Sequence, residues 1–266
     1  MGKITQKPIY KAKTKLFWRK LLTVLILFIS AGLLVICSNF PVTAKKPQIQ
    51  YPESVFIGQK LTENSYSQKS HPLPPSLENW QDKNNSGDYF DQVKPTKFGY
   101  LIWSKFPIKV NIETPIDINE KLAQIWINQV LQAVEEWNKY LPLELVENPE
   151  LADIKILRKR PPLQIDSVTK IPRARSALTT YQISTQNNIL SHGFTILLSP
   201  SQTGKYLQAA ARHEIGHALG IWGHSSLETD ALYFSQVREP VSISTRDVNT
   251  LKKIYQQSTS LGWEIN

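Results

Sequence analysis

Residues 209–224 read AAARHEIGHALGIWGH, and three of them are histidines. Residues four apart on an α-helix lie on the same face, so His213 and His217 direct their rings toward one point. Glu214 follows directly and projects beside that pair. Gly220 suits the left-handed position that ends a helix, and His224 comes soon after it. The stretch predicts a helix, a chain reversal and three imidazoles that converge on one site.

Two imidazoles on one helix face are a ligand pair for zinc, which they bind at about 2.0–2.1 Å. Zinc lowers the pKa of a bound water to about 7, and Glu214 can take its proton as the water attacks a carbonyl and pass it to the leaving amine. Catalytic zinc has three protein ligands and an open position. We therefore expect His213, His217 and His224 as ligands and Glu214 as the base. The alternative, a solvent-facing helix with incidental histidines, does not account for the third histidine.

The pattern His213-Glu214-x-x-His217-x-x-Gly220 with a nearby histidine resembles the metzincin clan of zinc peptidases, and within it the matrixin branch of the bacterial type. The resemblance covers about residues 97–257. It implies an α/β (α+β) catalytic domain with a twisted mixed sheet, about three helices, and zinc in a cleft at the active-site helix. It also implies that the strand from His192 to Leu198 pairs with an extended peptide substrate along the cleft rim.

Two departures from the clan pattern concern the third ligand and the floor of the site. The clan has its third histidine three residues after the glycine, whereas His224 lies four after Gly220. Gly223 makes a one-residue bulge easy, so His224 stays the expected ligand, and the Asp230 carboxylate is the alternative. Leu232 takes the place of the methionine beneath the zinc, an exchange that usually costs under about 1.5 kcal/mol.

Other segments predict the rest of the domain. Apolar residues at helical spacing indicate a helix from about Asp117 to Tyr140, with Asp117 and Glu120 as a capping box. Another helix is predicted from Ser244 to Tyr255. Strands are predicted at residues 99–113, 143–146, 152–157, 177–183 and 189–198. This order of elements indicates one mixed α/β domain over residues 97–266.

The first 96 residues have a different composition. Residues 1–44 hold seven cations and no acid, and an uncharged apolar run occupies residues 21–37. They predict a signal peptide, or a signal anchor over about residues 16–37, with a cleavage-like sequence at Ala44. Residues 45–96 are predicted as a linker or pro-like segment, with the alternative that their short apolar clusters pack on the domain or cover its cleft. We expect an extracytoplasmic domain, either anchored to the membrane or secreted.

Charge and composition limit the partners. The net charge is +9, so removing the seven N-terminal cations leaves 9 − 7 = +2 for the remainder. We therefore expect a peptide or protein substrate and membrane contact through the N-terminus, and no nucleic acid. Two histidines, His71 and His192, remain outside the triad, too few for another three-histidine site, so we expect one catalytic zinc. Calcium binding is possible, but the sequence contains no recognisable calcium-ligand loop.

The function expected from the resemblance is that of a zinc-dependent endopeptidase that hydrolyses extended protein segments with a zinc-bound water activated by Glu214. The alternative is a zinc-binding, catalytically inactive relative that acts as an interaction module of the cell envelope. The shifted His224 and the Leu232 floor motivate that alternative.

Overall fold

The computed structural model of the protein describes the backbone of residues 55–56, and residues 67–165 and 169–265 in full. All of these belong to one compact unit, Pro52–Asn266. The predicted signal segment, including residues 16–37 and Ala44, lies outside the described residues. Among the helices that are described, none combines the length and the apolar character needed to cross a bilayer.

The described residues form ten strands and four α-helices, together with short 3-10 turns. The strands are β1 (Val55–Phe56), β2 (Lys69–Ser70), β3 (Ile108–Ile112), β4 (Leu143–Leu145), β5 (Ile154–Arg158), β6 (Gln164–Ile165), β7 (Pro172–Arg173), β8 (Ala177–Gln186), β9 (Ile189–Leu198) and β10 (Ser258–Thr259). The helices are α1 (Pro75–Glu78), α2 (Glu120–Asn138), α3 (Gly204–Ala218) and α4 (Thr245–Tyr255). Three of them, α2 to α4, are the helices that the sequence predicts, and α1 is a single additional turn.

The main sheet is mixed and has the strand order β1-β8-β9-β5-β3-β4. Strand β8 is antiparallel to β9, whereas β9, β5, β3 and β4 are parallel neighbours. Asn187 and Asn188 join β8 to β9 with positive φ angles, 49° and 63°, as a two-residue hairpin turn requires. Burial alternates along both strands, so one side of the hairpin faces the core. The mixed α/β architecture agrees with the fold expected from the sequence.

Helices α2 and α3 pack against each other. The Trp137 indole of α2 is fully buried and donates a hydrogen bond to the Arg212 carbonyl of α3 over 2.8 Å. The Arg212 guanidinium also pairs with Glu136 on α2. These contacts attach α3, the helix that carries the HEIGH sequence, to the largest buried aromatic side chain in the described core.

Two predicted boundaries are wrong. Helix α2 is capped by Asn119, whose side chain accepts from the Leu122 amide, and not by Asp117. Asp117 instead pairs with Arg158 at 2.5 Å. The long strand predicted over residues 99–113 is regular only in β3, and its first residue, Gly99, lies with φ of 88° in a turn with Thr96. Residues 101–103 remain buried without strand pairing in the main sheet.

Residues 67–96, predicted as linker or pro-like, lie on the domain. Strand β2 pairs with β10, and Leu77 of α1 is completely buried. The Trp80 indole donates to the Asn249 side chain of α4, and the Tyr89 hydroxyl donates to Asp247. The folded part of the chain therefore begins before residue 97. Its aromatic side chains lie among turn-forming residues in the sequence, but they bond to residues of α4 more than 150 positions later.

Candidate zinc site

Helix α3 positions the first half of the site. Its buried face, which includes Leu207, Ala211, Ile215 and Ala218, packs into the domain. His213 and His217, four residues apart, lie one turn above each other. The two Nε2 atoms are 3.1 Å apart.

His224 completes a group of three. One nitrogen from each of His213, His217 and His224 lies within 4.8 Å of the other two. Ligands about 2.0–2.1 Å from a tetrahedral ion are about 3.3 Å from each other, close to the spacing of the first two rings. Within the described residues this is the only group of three or more His, Cys, Asp or Glu side chains with metal-ligand proximity. The donor set fits zinc.

Carbonyl oxygens hold two of the rings in the tautomer that a metal requires. His213 Nδ1 lies 2.9 Å from the Ala231 oxygen, and His217 Nδ1 lies 2.7 Å from the Ile221 oxygen. A carbonyl oxygen can only accept, so both Nδ1 atoms carry the proton and both Nε2 atoms present lone pairs. Two such lone pairs 3.1 Å apart repel each other unless a cation lies between them. Burial lowers the pKa of His217 to about 3, which keeps its ring neutral.

The turn after α3 brings His224 to the site despite its shift in the sequence. The Gly220 amide bonds to the His217 carbonyl, and the Ile221 amide bonds to the Gly216 carbonyl, which is the Schellman arrangement. Gly220 supplies the positive φ, 119°. The Trp222 amide then bonds back to the Gly220 carbonyl at 2.8 Å in a tight turn. His224 follows this turn and lies with the other two histidines.

Gly223 is needed for a second reason. A Cβ at this position would lie 2.4 Å from the Gln92 carbonyl oxygen, because the preceding segment crosses directly over the turn. The Lys94 amide bonds to the Trp222 carbonyl in the same crossing. The segment of residues 92–94 therefore covers the loop that carries His224.

Glu214 lies beside the histidines and is held by β8. Its side chain is 9 % exposed, and the Thr179 hydroxyl donates to its Oε2 atom over 2.6 Å. Burial raises the pKa of Glu214, while the Thr179 hydrogen bond and the nearby Arg175 guanidinium act in the opposite direction. Thr179 was missed by the sequence reasoning, since a threonine in a strand has no recognisable signal of contact with a helix 35 residues later.

The model of the matrixin family of peptidases (Peptidase_M10) matches residues 103–256, which include all four site residues. The chain belongs to the matrixin family. A search of curated proteins finds no match. Family membership makes zinc the metal implied for the three histidines and peptide-bond hydrolysis the general chemistry of the fold.

The floor of this matrixin site is a leucine in close contact with the helix. Leu232 is completely buried, and its Cδ2 atom lies 2.7 Å from the position that a Cβ on Gly216 would occupy. Trp137 Cζ2 lies 3.0 Å from the same position. Gly216 therefore allows Leu232 to pack directly under the HEIGH turn.

Two buried acids hold the chain that forms this floor. Asp230 accepts from the Ser244 hydroxyl at 2.7 Å and from Arg246 Nε at 3.0 Å, so its carboxylate is bound within the loop. It does not belong to the histidine group, and the alternative of Asp230 as third ligand is wrong in this geometry. Asp247 accepts from the Ala231 amide at 2.8 Å and from the Tyr89 hydroxyl at 2.5 Å. Through Ala231, Asp247 is connected to the carbonyl that orients His213.

The expectation that residues 192–198 pair with substrate requires a correction. Strand β9 is paired with β5 on one side and β8 on the other, so its backbone has no edge between Phe194 and Leu198. His192 is buried, its ring stacks on Trp103 at 4.0 Å, and its Nε2 atom has no hydrogen-bond partner. In the described chain, β8 is the strand nearer the edge and meets β1 only at Gln182 and Ile183. The sequence could not show which of two adjacent strands is outermost.

Proposed function

We propose that this matrixin is a zinc-dependent endopeptidase that cleaves peptide bonds in extended protein segments. The observation that carries the proposal is the convergence of three imidazoles beside a buried glutamate held by a hydroxyl. A purely structural zinc site closes its coordination with four protein ligands, whereas three ligands leave a position for chemistry. The family supports a metallopeptidase in general.

Zinc in this site would acidify a water and polarise the substrate carbonyl. Glu214 acts on protons. Thr179 occupies Oε2, so Oε1 is the oxygen available to accept a proton from the attacking water. The same carboxyl group then delivers that proton to the leaving amine. The low exposure of Glu214 keeps bulk water from competing for these transfers.

The first part of β8 is the place proposed for the substrate backbone. Residues 177–181 pair with β9 on one side, and β1 is described beside β8 only further along, at Gln182 and Ile183. An extended peptide can add to such an edge through main-chain hydrogen bonds. Thr179 lies in this stretch, so a peptide paired there passes beside Glu214.

The substitution Glu214→Gln tests the mechanism, because it keeps the size of the side chain and removes its basicity. We expect peptide hydrolysis to fall by about 10²–10⁴ while one zinc per chain remains bound. Glu135→Gln, at an exposed position on α2, is the matched control and should cleave like the wild type. A Glu214→Gln protein with wild-type turnover contradicts the proposal. Wild-type protein that binds zinc and cleaves no member of a peptide library supports the inactive interaction module instead.

We also propose that the domain acts outside the cytoplasm, on the basis of the cation-flanked apolar run at residues 21–37. A reporter enzyme that is active only after export, fused behind residue 66, tests this. Activity of the fusion that depends on residues 1–44 supports export, and activity of a cytoplasm-specific reporter in the same fusion contradicts it.

A further inference from the structure

Charge is distributed unevenly within the folded part of the chain. Residues 154–213 contain nine basic residues and one acid, Asp166, for a net charge of +8. Residues 45–266 carry 24 basic and 22 acidic residues. The rest of that span therefore has 24 − 9 = 15 basic and 22 − 1 = 21 acidic residues, a net charge of −6. The small overall charge of the domain conceals two oppositely charged parts.

Four of the nine cations pair with acids elsewhere in the domain. The pairs are Lys155–Glu150, Arg158–Asp117, Lys205–Glu239 and Arg212–Glu136. Five of the nine lie on residues 159–165 and 169–175, which we call the basic hairpin because they contain the β6–β7 pair. They are Lys159, Arg160, Lys170, Arg173 and Arg175. The acid of this stretch, Asp166, lies outside the described residues.

The two arms of the basic hairpin converge at the start of β8. The Lys159 amide bonds to the Leu198 carbonyl at 3.0 Å, and Ala177 pairs with the same Leu198. Strand residues rise about 3.3 Å each, so the start of β8 lies only about 7 Å from Thr179. Thr179 contacts Glu214. The cations therefore lie at the end of the strand on which a substrate would pair, close to the reacting centre.

Arg175 is the cation nearest to the chemistry. It is partly buried at the entry to β8, and its Nε donates to the Gln164 side chain over 3.2 Å across the hairpin. Its guanidinium is close enough to Glu214 for each charge to influence the pKa of the other. An arginine held in this way has further N–H groups that can bind a carboxylate in a bidentate manner.

We propose that the basic hairpin, and Arg175 above all, selects protein segments with an acidic residue close to the bond that is cleaved. This inference rests on the proposed peptidase function. A peptide carboxylate near the start of β8 meets Arg175, while the surrounding cations attract acidic segments over a longer range.

Paired peptides measure this selectivity. Each pair shares one cleavable sequence and differs in one flanking position, which is either Asp or Asn, and the ratio of kcat/KM values is determined on the zinc-loaded protein. We expect the wild type to prefer the Asp peptides and Arg175→Gln to reduce the ratio about tenfold. Lys139→Gln, which removes an exposed cation at the end of α2, is the control and should keep the wild-type ratio.

A charge exchange sharpens the test. Arg175→Glu should invert the preference, so that a peptide with Lys at the flanking position is cleaved faster than its Asp counterpart. Raising the salt concentration from about 50 to 500 mM should reduce the wild-type preference, since exposed charges are screened. Equal cleavage of Asp and Asn peptides by the wild type overturns the inference while leaving the peptidase function intact.

Two further outcomes are decisive. A zinc-loaded wild type that cleaves no peptide refutes the proposed function itself and with it the selectivity. The basic hairpin also exposes the aliphatic side chains of Leu163, Ile165 and Ile171, a composition that suits an anionic lipid surface. Binding to phosphatidylglycerol vesicles that Arg175→Gln weakens, without any peptide preference, would overturn the substrate inference in favour of a membrane role.

Discussion

The two halves of the candidate zinc site are built in different ways. His213, Glu214 and His217 lie on one helix, where a spacing of four residues alone brings the two rings together. His224, Ala231 and the Leu232 floor belong to a loop without regular structure, which buried hydrogen bonds to Asp230 and Asp247 hold in place. The helical half depends on local geometry and the loop half on contacts between distant residues. The loop half should therefore be the more sensitive to single polar substitutions outside the ligands.

Removal of the loop ligand should have the largest effect. His224→Ala leaves two imidazoles, and we expect zinc affinity to fall well beyond the roughly 10–100-fold that loss of an outer hydrogen bond causes. His217→Ala should produce a comparable loss if both halves bind the same ion. Competition with a chromophoric chelator measures both. His71→Ala, which removes a ring that bonds to the Leu261 carbonyl, is the control. If His224→Ala binds zinc with wild-type affinity, the helical half alone forms the metal site and the proposed role of His224 is wrong.

Asp247→Asn tests the support of the loop half. The Asp247 carboxylate accepts from Ala231, Ser244 and Tyr89, and an amide group turns one acceptor into a donor facing them. We expect a loss of about 2–3 kcal/mol in the free energy of unfolding and zinc affinity about 10–100-fold lower. Urea unfolding and chelator competition measure the two quantities. Asp88→Asn, at a salt bridge to Lys253 on the surface of the same region, should change both far less.

Thr179→Val tests the support of the helical half. Valine keeps the shape of threonine and removes the hydroxyl that holds Oε2 of Glu214. We expect kcat to fall about tenfold with little change in KM or zinc content. The reason is that this hydrogen bond orients Glu214 and does not involve any of the three histidines. Thr179→Ser keeps a hydroxyl and should recover most of the rate. Equal kcat in all three proteins would show that β8 does not position Glu214.

The helical half also rests on a buried histidine. The Trp103 indole donates to the Ala218 carbonyl at the end of α3, and the His192 ring stacks on Trp103. Burial lowers the pKa of His192 from 6.5 to about 3. The unfolded chain therefore binds more protons between those values, and the stability that a neutral His192 contributes is full above pH 6.5 and declines as the pH falls toward 3.

His192→Phe removes this dependence while keeping an aromatic ring against Trp103. We expect the wild type to lose up to about 1.4 kcal/mol of unfolding free energy, relative to the variant, for each pH unit below 6.5. Urea unfolding of both proteins at pH 7.5 and pH 5.5 measures the difference. Parallel pH profiles of the two proteins would contradict the assignment of a neutral His192.

Leu232→Met should have the smallest effect. It introduces the methionine expected from the sequence resemblance where Leu232 packs under Gly216, and the two side chains have similar volumes. We expect kcat/KM within about threefold of the wild type and a stability change below about 1.5 kcal/mol. Thermal unfolding and peptide assays measure these values. A gain in activity of a hundredfold would show instead that leucine disables the loop half.

Local sequence was enough to predict the family and the group of three histidines. The HEIGH spacing, Gly220 and the late His224 pointed to both, because side-chain spacing on a helix and helix termination are short-range properties. The chain reversal at Gly220, with φ of 119°, was predictable for the same reason. The helix boundary at Asp117 was not, because Arg158, 41 residues later, takes the carboxylate that the capping box would have used.

Tertiary structure alone decided what surrounds that chemistry. Thr179 bonds to Glu214, which lies 35 residues later in the sequence, and Tyr89 bonds to Asp247, which lies 158 residues later. No sequence periodicity connects positions so far apart. The order of the strands made β8, and not β9, the outer strand of the hairpin. It also gathered cations from both arms of the basic hairpin near the start of β8. The sequence by itself thus determined the candidate reacting groups. Packing between distant segments decided how these groups are oriented and which charged side chains lie beside them. Orientation and local charge both depend on residues that become neighbours only when the chain is folded.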